Sequence, residues 1–435
     1  MLLPSWQLAR SIARRGKISP LRSLTARIDD AQFVSVRSVD QRRKDDMLPL
    51  TGQIRDYAWG SLTAIPELLG NDPTGEPEAE YWLGAHPLAP ATIDGVGLDA
   101  ILHDHPEWVG DRTYRAFGDR FPVLMKILAA ASPLSLQAHP DREQAERGYA
   151  RENSQQVPID SPQRIYRDNW PKPELIVALT GFDALCGFRD PVETVELFHR
   201  LGVSNGFNTV IGPLSKRKGP AGMAEVFLDI LSQDHPSHVN EVLQKAHDKA
   251  DDDSDLGLFA RTALELNRHF PHHPSILAAL LLNRIHLEPG QGLFLPTRTL
   301  HSYLGGVGIE VMACSDNVLR GGLTSKHIDV DELIHVVDFT PSTITPVGTE
   351  DDGGFLRYLT PTPEFAVWRG ELSSQPLKLP RTDSCRIALV VDGEAQLNRA
   401  ESVVDLNAGD AVLIPYGEKV SATGSATIFV SAPGV

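Results

Sequence analysis

The sequence predicts a mainly β protein interrupted by a block of helices: a first β unit, a helical insertion, and a second β unit related to the first. Three observations carry this prediction. Proline and glycine are abundant, 32 and 35 in 435 residues, and they bound short runs such as "FPVLMKIL" and "ELIVALTGF" that suit strands. Between residues 190 and 285 the hydrophobic period changes to that of helices. Finally, "LEPGQGLFLP" (287–296) and "LNAGDAVLIP" (406–415) align without a gap, each placing Leu before a Gly turn and an apolar strand that ends in Pro. A phrase used twice predicts two β-sandwich or β-barrel units of related design.

The elements follow in order. Residues 1–46 begin with a basic stretch nearly free of acids, "WQLARSIARRGKISPLRSLTAR". It reads as a disordered extension, with a transit-type segment as the other reading and no signal peptide; Met47 opens the first folded unit. Residues 47–189 are strand-rich, with short helical pieces at 65–69 and 98–102 and a polar, Pro-bearing loop at 154–171. Residues 190–285 form the helical insertion: "PVETVELFHRL", "GMAEVFLDILSQ", "SHVNEVLQKAHDKA", "LGLFARTALELNRHF" and "PSILAALLLNRI" all repeat apolar residues at i, i+3, i+4. The first β unit resumes at 286 and runs to 340, and residues 341–435 form the second. At the position of His301 in the first copy of the phrase, the second has Val420, so the C-terminal unit is expected to be structural.

Composition excludes several function classes. The formal charge of −16 argues against a nucleic-acid partner and makes any anion site a local matter of a few placed cations. Three scattered cysteines, Cys186, Cys314 and Cys385, argue against a disulfide framework and for a reducing, cytoplasmic setting. The longest apolar run, "ILAALLL" from Ile276, is too short to span a membrane.

The chemistry-bearing residues lie at strand ends. Side chains i and i+2 of a strand share a face, so Gln137 and His139 in "PLSLQAHPD" point together, as do Lys172 and Glu174 in "NWPKPEL". Pro171 and Pro173 remove donors there, which puts that strand start at an edge or a mouth. His301 closes a strand after "FLPTRTL". One amide, two imidazoles and one carboxylate suit zinc, or iron as two histidines and a carboxylate. Taken singly, His139 is more often a hydrogen-bonded structural histidine and Glu174 an exposed carboxylate; the joined set points to a metal. Further on, "GIEVMACSDNVLRGGLTSKHIDVDEL" carries Glu310, Asp316, then Arg320 before two glycines that let the backbone bend, then Lys326. Arg offers a planar fork and Lys a mobile charge, both suited to phosphate; the plainer reading is surface charges paired with nearby acids.

These phrases, with "YAWGS", "AEYWLGAHPLAPA", "KILAAASPLSLQAHPD", "KPELIVALTGFDALCGFR" and "GLFLPTRTLHSYL", resemble the type I mannose-6-phosphate isomerases (phosphomannose isomerases), in family order from Tyr57 to Leu333. The resemblance implies a cupin-type β-barrel or jelly-roll catalytic domain with a helical insertion and a second cupin-like domain. It implies one zinc per chain held by Gln137, His139, Glu174 and His301. The family's catalytic arginine falls on Arg320, with Asp316 before it, and its pocket lysine on Lys326, where Ser325 replaces the usual proline. Ser135, Lys172 and Glu310 also fall on pocket positions. The activity implied is interconversion of mannose 6-phosphate and fructose 6-phosphate, a step of carbohydrate metabolism and GDP-mannose biosynthesis, in a cytoplasmic enzyme expected to be monomeric. Arg320 is then expected to stabilise the oxyanion, Lys326 and Ser135 to hold phosphate, and Lys172, Glu310 or Asp316 to carry the proton. Trp59 and Trp82 could supply a wall for the sugar ring. The competing expectations are a cupin metal oxygenase and a non-catalytic sugar-phosphate-binding protein.

Other signals are set aside. His269, His272 and His273 sit at a helix–turn connection, and His103 and His105 in an acidic loop. "GGVG" at 305 reads as a hairpin turn, and "DKADDDSD" as a solvated loop between helices.

Overall fold

The computed structural model describes residues 47–435 except 218, 234 and 401; the expected N-terminal extension, 1–46, lies outside the described residues. The chain forms two large sheets and a helical block. In the ten-stranded sheet, the strands Leu282–Leu287, Phe182–Phe188, His301–Ala313, Val123–Ala130, Glu80–Gly84 and Gln53–Arg55 follow one another, and Leu136–Ala138, Glu174–Ala178, Gly292–Leu295 and Leu319–Gly322 attach to the same frame. The nine-stranded sheet is built from the C-terminal strands, with Ser421–Ala432 and Arg386–Arg399 at its centre. Its edge neighbour on Ala411–Ile414 is Leu48–Leu50, a strand the sequence reading assigns to the first unit. Nothing in three residues tells which sheet they join; the pairing is decided by a partner more than 350 residues away.

Strand alternation explains how a polar interior arises inside an apolar sequence. Val123, Met125 and Ile127, Leu175 and Val177, and Ile309 and Val311 share one core with Ile387, Leu389, Leu413 and Phe429 of the other sheet. The alternate positions on those strands face the other way, and there Ile176, Ala178 and Leu128 pack with Phe182, Leu287 and Tyr303. Lys126, Glu174 and Glu310 fall on this second face by the period of two.

The long strand His301–Ala313 organises the site. Its first residues pair with Phe182–Phe188, and its later ones run between Val123–Ala130 and Glu174–Ala178. The switch occurs at a register shift between Tyr303 and Gly305. Gly306 sits there at φ 124°, and a Cβ on it would lie 2.7 Å from the carbonyl of Gly181. "GGVG" is therefore a bulge inside a strand, not a hairpin turn, and His301 opens this strand rather than closing one. Strand Glu174–Ala178 is likewise no edge: Leu295 and Met312 flank Glu174 on its two sides.

The helices 191–201, 220–232, 236–247 and 255–269 stand where the period places them. The last expected helix is shorter: Ser275–Ala279 is helical, and Leu282–Leu287 is a strand on Phe182–Phe188. The run is apolar throughout, so its period does not separate a buried helix from a buried strand. The helical core continues onto Leu136, Ala138, Leu185, Leu300 and Leu319, so the helices brace the outer faces of the strands that carry the site. A helix not read from the sequence, Arg142–Ser154, starts just after "QAHP": Asp141 accepts from Gln144 N at 2.8 Å while the Gln144 side chain accepts from Asp141 N, a capping box.

The repeated phrase is repeated in structure. Each copy makes a turn with glycine at positive φ, 86° at Gly290 and 92° at Gly409, followed by the strands Gly292–Leu295 and Ala411–Ile414.

Candidate metal centre and active site

Strand register brings the predicted ligands together. Gln137 is the cross-strand partner of His301 on one side and of Arg320 on the other, so the three side chains share a face of the sheet. His139 follows two residues on. His139, Glu174 and His301 form a buried cluster whose ligand atoms all lie within 4.8 Å of one another. Gly322, at φ 141°, ends Arg320's strand against Ser275, where a Cβ would meet the serine side chain at 2.6 Å.

The hydrogen bonds fix the ligand tautomers. His139 Nδ1–H donates to the carbonyl of Asn317 at 2.7 Å, and His301 Nδ1–H to that of Thr299 at 3.0 Å. Both Nε2 lone pairs therefore turn inward. His139 Nε2 lies 3.3 Å from Glu174 Oε1, and His301 Nε2 lies 3.3 Å from Oε2. Yet His139 Nε2 is buried without a hydrogen-bond partner, because a lone pair does not bond to a carboxylate. Two lone pairs and an anion converging in a buried space suit a bound cation. The spacing fits zinc: donors ~2.05 Å from a tetrahedral metal stand roughly 3.3 Å apart. Burial, with the charge of Lys172, pushes His139 down to about 4, so the imidazole stays neutral and free to ligate. Burial alone would raise Glu174, but the charge of Lys172 holds its carboxyl well below the usual carboxylate range. Lys172 Nζ is 3.1 Å from Glu174 Oε1.

The proton-transfer candidates are differently engaged. Glu310 is locked in a buried network: it accepts from Lys126 Nζ at 2.8 Å and from the Tyr303 hydroxyl at 2.9 Å. Lys126 also reaches Glu80 at 3.5 Å, and Glu80 accepts from Trp82 Nε1 at 2.7 Å. Trp82 is thus a buried member of this network, not a wall for a ligand. Trp59 is half-buried and stacks on Tyr57 with ring centres 5.7 Å apart. Asp316 faces His86, whose Nε2 is 3.3 Å from its carboxylate; burial opposes ionisation, but His86 holds this carboxyl low.

Arg320 is half-buried and Lys326 exposed, and neither side chain has an acid or hydrogen-bond partner among the described residues. Burial and the charge of Arg167 lower Arg320, while Arg320, burial and Arg167 lower Lys326. Ser135 is half-buried in the turn leading into Leu136–Ala138. A cleft of about 450 Å³ on the C-terminal sheet, lined by Arg381, Arg386, Trp368 and Tyr416 among others, contains none of the predicted residues.

Sequence reasoning missed Lys126, His86, Tyr303 and Asn317. A lone lysine inside the apolar "FPVLMKIL" was the available signal for Lys126, since an unpaired lysine is costly to bury. Nothing local marks Asn317, which is fully buried. Its backbone carbonyl orients His139, and its carboxamide accepts from Arg167 N and donates to the carbonyls of Asp168 and Trp170.

Comparison with known proteins agrees with this geometry. The family model of the phosphomannose isomerase type I catalytic domain matches residues 47–191. The chain is 34% identical over 383 residues to the mannose-6-phosphate isomerase of Escherichia coli (strain K12), covering 86% of this chain and 95% of the relative. It is 29% identical over 413 residues to the Homo sapiens mannose-6-phosphate isomerase, covering 86% and 95%. A crystal structure of mannose 6-phosphate isomerase with zinc bound matches at TM-score 0.81 and 31% identity, covering 89% of this chain and 100% of that one. The apo form from Salmonella typhimurium matches at TM-score 0.81 and 31% identity, covering 89% and 99%. With one fold, one family model and relatives alike over nearly their whole length, the chain belongs to the type I mannose-6-phosphate isomerase family.

Proposed function

We propose that this protein is a zinc-dependent isomerase that interconverts mannose 6-phosphate and fructose 6-phosphate. The observation that carries the reading is the buried His139–Glu174–His301 cluster beside unpartnered Arg320 and Lys326. Gln137, on the same face, completes a set of four zinc ligands. The bound zinc supplies a Lewis acid and a template for substrate oxygens.

The residues of the chain do the rest. Aldose and ketose differ by one hydrogen moved between C1 and C2. A base takes the proton from the carbon next to the carbonyl and returns it to the neighbouring carbon, through an enediolate. We assign the transfer to Lys172. Acting as the free amine, its Nζ would take the proton and return it to the neighbouring carbon; it lies 3.1 Å from Oε1 of Glu174, whereas Glu310 has its oxygens bonded to Lys126 and Tyr303 and Asp316 faces His86. Arg320 stands one cross-strand position from Gln137 and is placed to offset the oxyanion charge. Lys326 and Ser135 are assigned to the phosphate. An iron oxygenase would also use two histidines and a carboxylate, but Gln137 as a fourth ligand and the unpartnered cations speak for a sugar phosphate.

No helix among the described residues is long and apolar enough to cross a membrane. The three cysteines are free and buried, which supports a reducing, cytoplasmic setting, and a monomer is proposed on the family resemblance. The test is a coupled assay of mannose 6-phosphate conversion together with solvent exchange of the C2 hydrogen. Turnover with exchange is expected, and Lys172→Met should abolish both. Normal turnover in that variant removes Lys172 from the role, and no turnover by the zinc-loaded wild type removes the function.

A further inference from the structure

The loop that follows helix Arg142–Ser154 carries two arginines used in opposite ways. Arg164 is buried and spends its guanidinium on the chain: it donates to the carbonyls of Tyr166 and Val157 and to Asn153 Oδ1. Arg167 is exposed and has no side-chain partner among the described residues. Its backbone, however, is held firmly. Asn317 Oδ1 accepts from Arg167 N at 2.8 Å and from Asp168 N at 3.2 Å, and the Asp168 carboxylate accepts from Ser315 Oγ and from Asp316 N. On one side of Arg167, the Tyr166 hydroxyl donates to Glu332 at 2.5 Å. On the other, Trp170 is covered by Arg142, whose guanidinium carbon is 3.9 Å from the ring centre. The segments "RDNW" (167–170) and "SDN" (315–317) thus interlock.

Arg320 lies three residues beyond Asn317. It lines a recess with Arg164 and Ile165 of this loop and with His327 and Asp329. Asp329 makes no ion pair with it; its carboxylate caps the helix Val330–Val336 by accepting from Glu332 N. The charge of Arg167 is felt by both Arg320 and Lys326. Arg167, Arg320 and Lys326 form no ion pair among the described residues and repel one another; the acid that also feels Arg167, Asp316, faces His86. These bonds fix the backbone of Arg167 next to Asn317, and an anion held among the three charges would relieve their repulsion.

We propose that Arg167 is a third cation of the anion grip formed with Arg320 and Lys326, and that it sets the preference for a phosphorylated sugar over a neutral one. The proposal rests on the sugar-phosphate reading given above. Asn317 acts on it as a positioning residue, since it holds the backbone of Arg167 and does not reach the ligand itself.

The test uses the zinc-loaded full chain with Arg167→Ala and Arg167→Lys, inorganic phosphate binding by calorimetry, and KM and kcat for mannose 6-phosphate. Removing one charged contact predicts phosphate affinity and KM weakened by about tenfold or more. The value of kcat should stay within about threefold and zinc content should not change, and Arg167→Lys should recover most of the loss. Phosphate affinity and KM equal to wild type in Arg167→Ala overturn the proposal, as does a fall in kcat with KM unchanged. Phosphate binding is read without turnover. A wild type that binds phosphate through Arg167 but converts no sugar would refute the isomerase reading and leave the grip standing.

Discussion

Replacing Asn317 by alanine separates the two jobs this residue performs. The backbone carbonyl that accepts from His139 Nδ1 at 2.7 Å is kept. The carboxamide is lost, and with it the bonds from Arg167 N and Asp168 N and to the carbonyls of Asp168 and Trp170, at 2.8, 3.2, 2.8 and 2.9 Å. At about 1 kcal/mol net for each, the loss approaches 4 kcal/mol. The Asp168 carboxylate and Tyr166 still tether the loop, and water can enter the partly buried positions, so about half of this, near 2 kcal/mol, is expected to appear as disorder of the 157–171 loop. An affinity that depends on the ordered loop then falls by roughly 10- to 30-fold. The coupled assay should show that rise in KM for mannose 6-phosphate. Limited proteolysis should cut within the loop, and metal analysis should still find zinc. A wild-type KM with no new cleavage refutes the argument, and so does zinc loss in step with KM, which would put the effect on His139.

Three further outcomes follow. Glu174→Gln removes the anion from the ligand set and leaves Lys172 without its 3.1 Å partner; metal analysis should find zinc largely absent and turnover down by about 10³-fold or more. Lys126→Met leaves Glu310 and Glu80 buried without their cation and should destabilise the fold by about 3–5 kcal/mol in denaturant unfolding, with partial rescue on adding Glu310→Gln. In the metal-free chain, His139 titrates near 4 when folded against ~6.5 unfolded. The unfolded state therefore binds more protons between those values, and stability should fall as pH drops from ~6.5 to ~4, by about 3 kcal/mol in all. Glu174, held low when folded, adds loss in the same direction below the usual carboxylate range. Melting curves across pH 4–8 check the sign; stability that rises on acidification contradicts it.

Much of this architecture is legible in the chain. The change of period at residue 190 and the doubled "Leu-x-x-Gly" phrase predict the helical block and the two related β regions, because period and turn chemistry are local properties. The i, i+2 rule puts Gln137 with His139 on one face, and the register on His301 and Arg320 brings the other side chains to it. What was not legible depends on distant partners. Leu48–Leu50 could not announce its pairing with Ala411–Ile414, and "GGVG" could not show that its strand continues across a bulge. "LLLNRI" is equally apolar as helix or strand. The proton-transfer candidates were told apart only when Lys126, Tyr303 and His86 were seen to occupy Glu310 and Asp316. Asn317 and Arg167 gained meaning when "SDN" and "RDNW" met.

The most direct measurement is a zinc titration of chelator-stripped protein, following bound metal and mannose 6-phosphate turnover in the same samples. One ion per chain with activity rising in proportion, and neither in a variant carrying His139→Ala and His301→Ala, is the expected result. Full turnover by the stripped protein, or zinc bound equally well by that variant, contradicts the account.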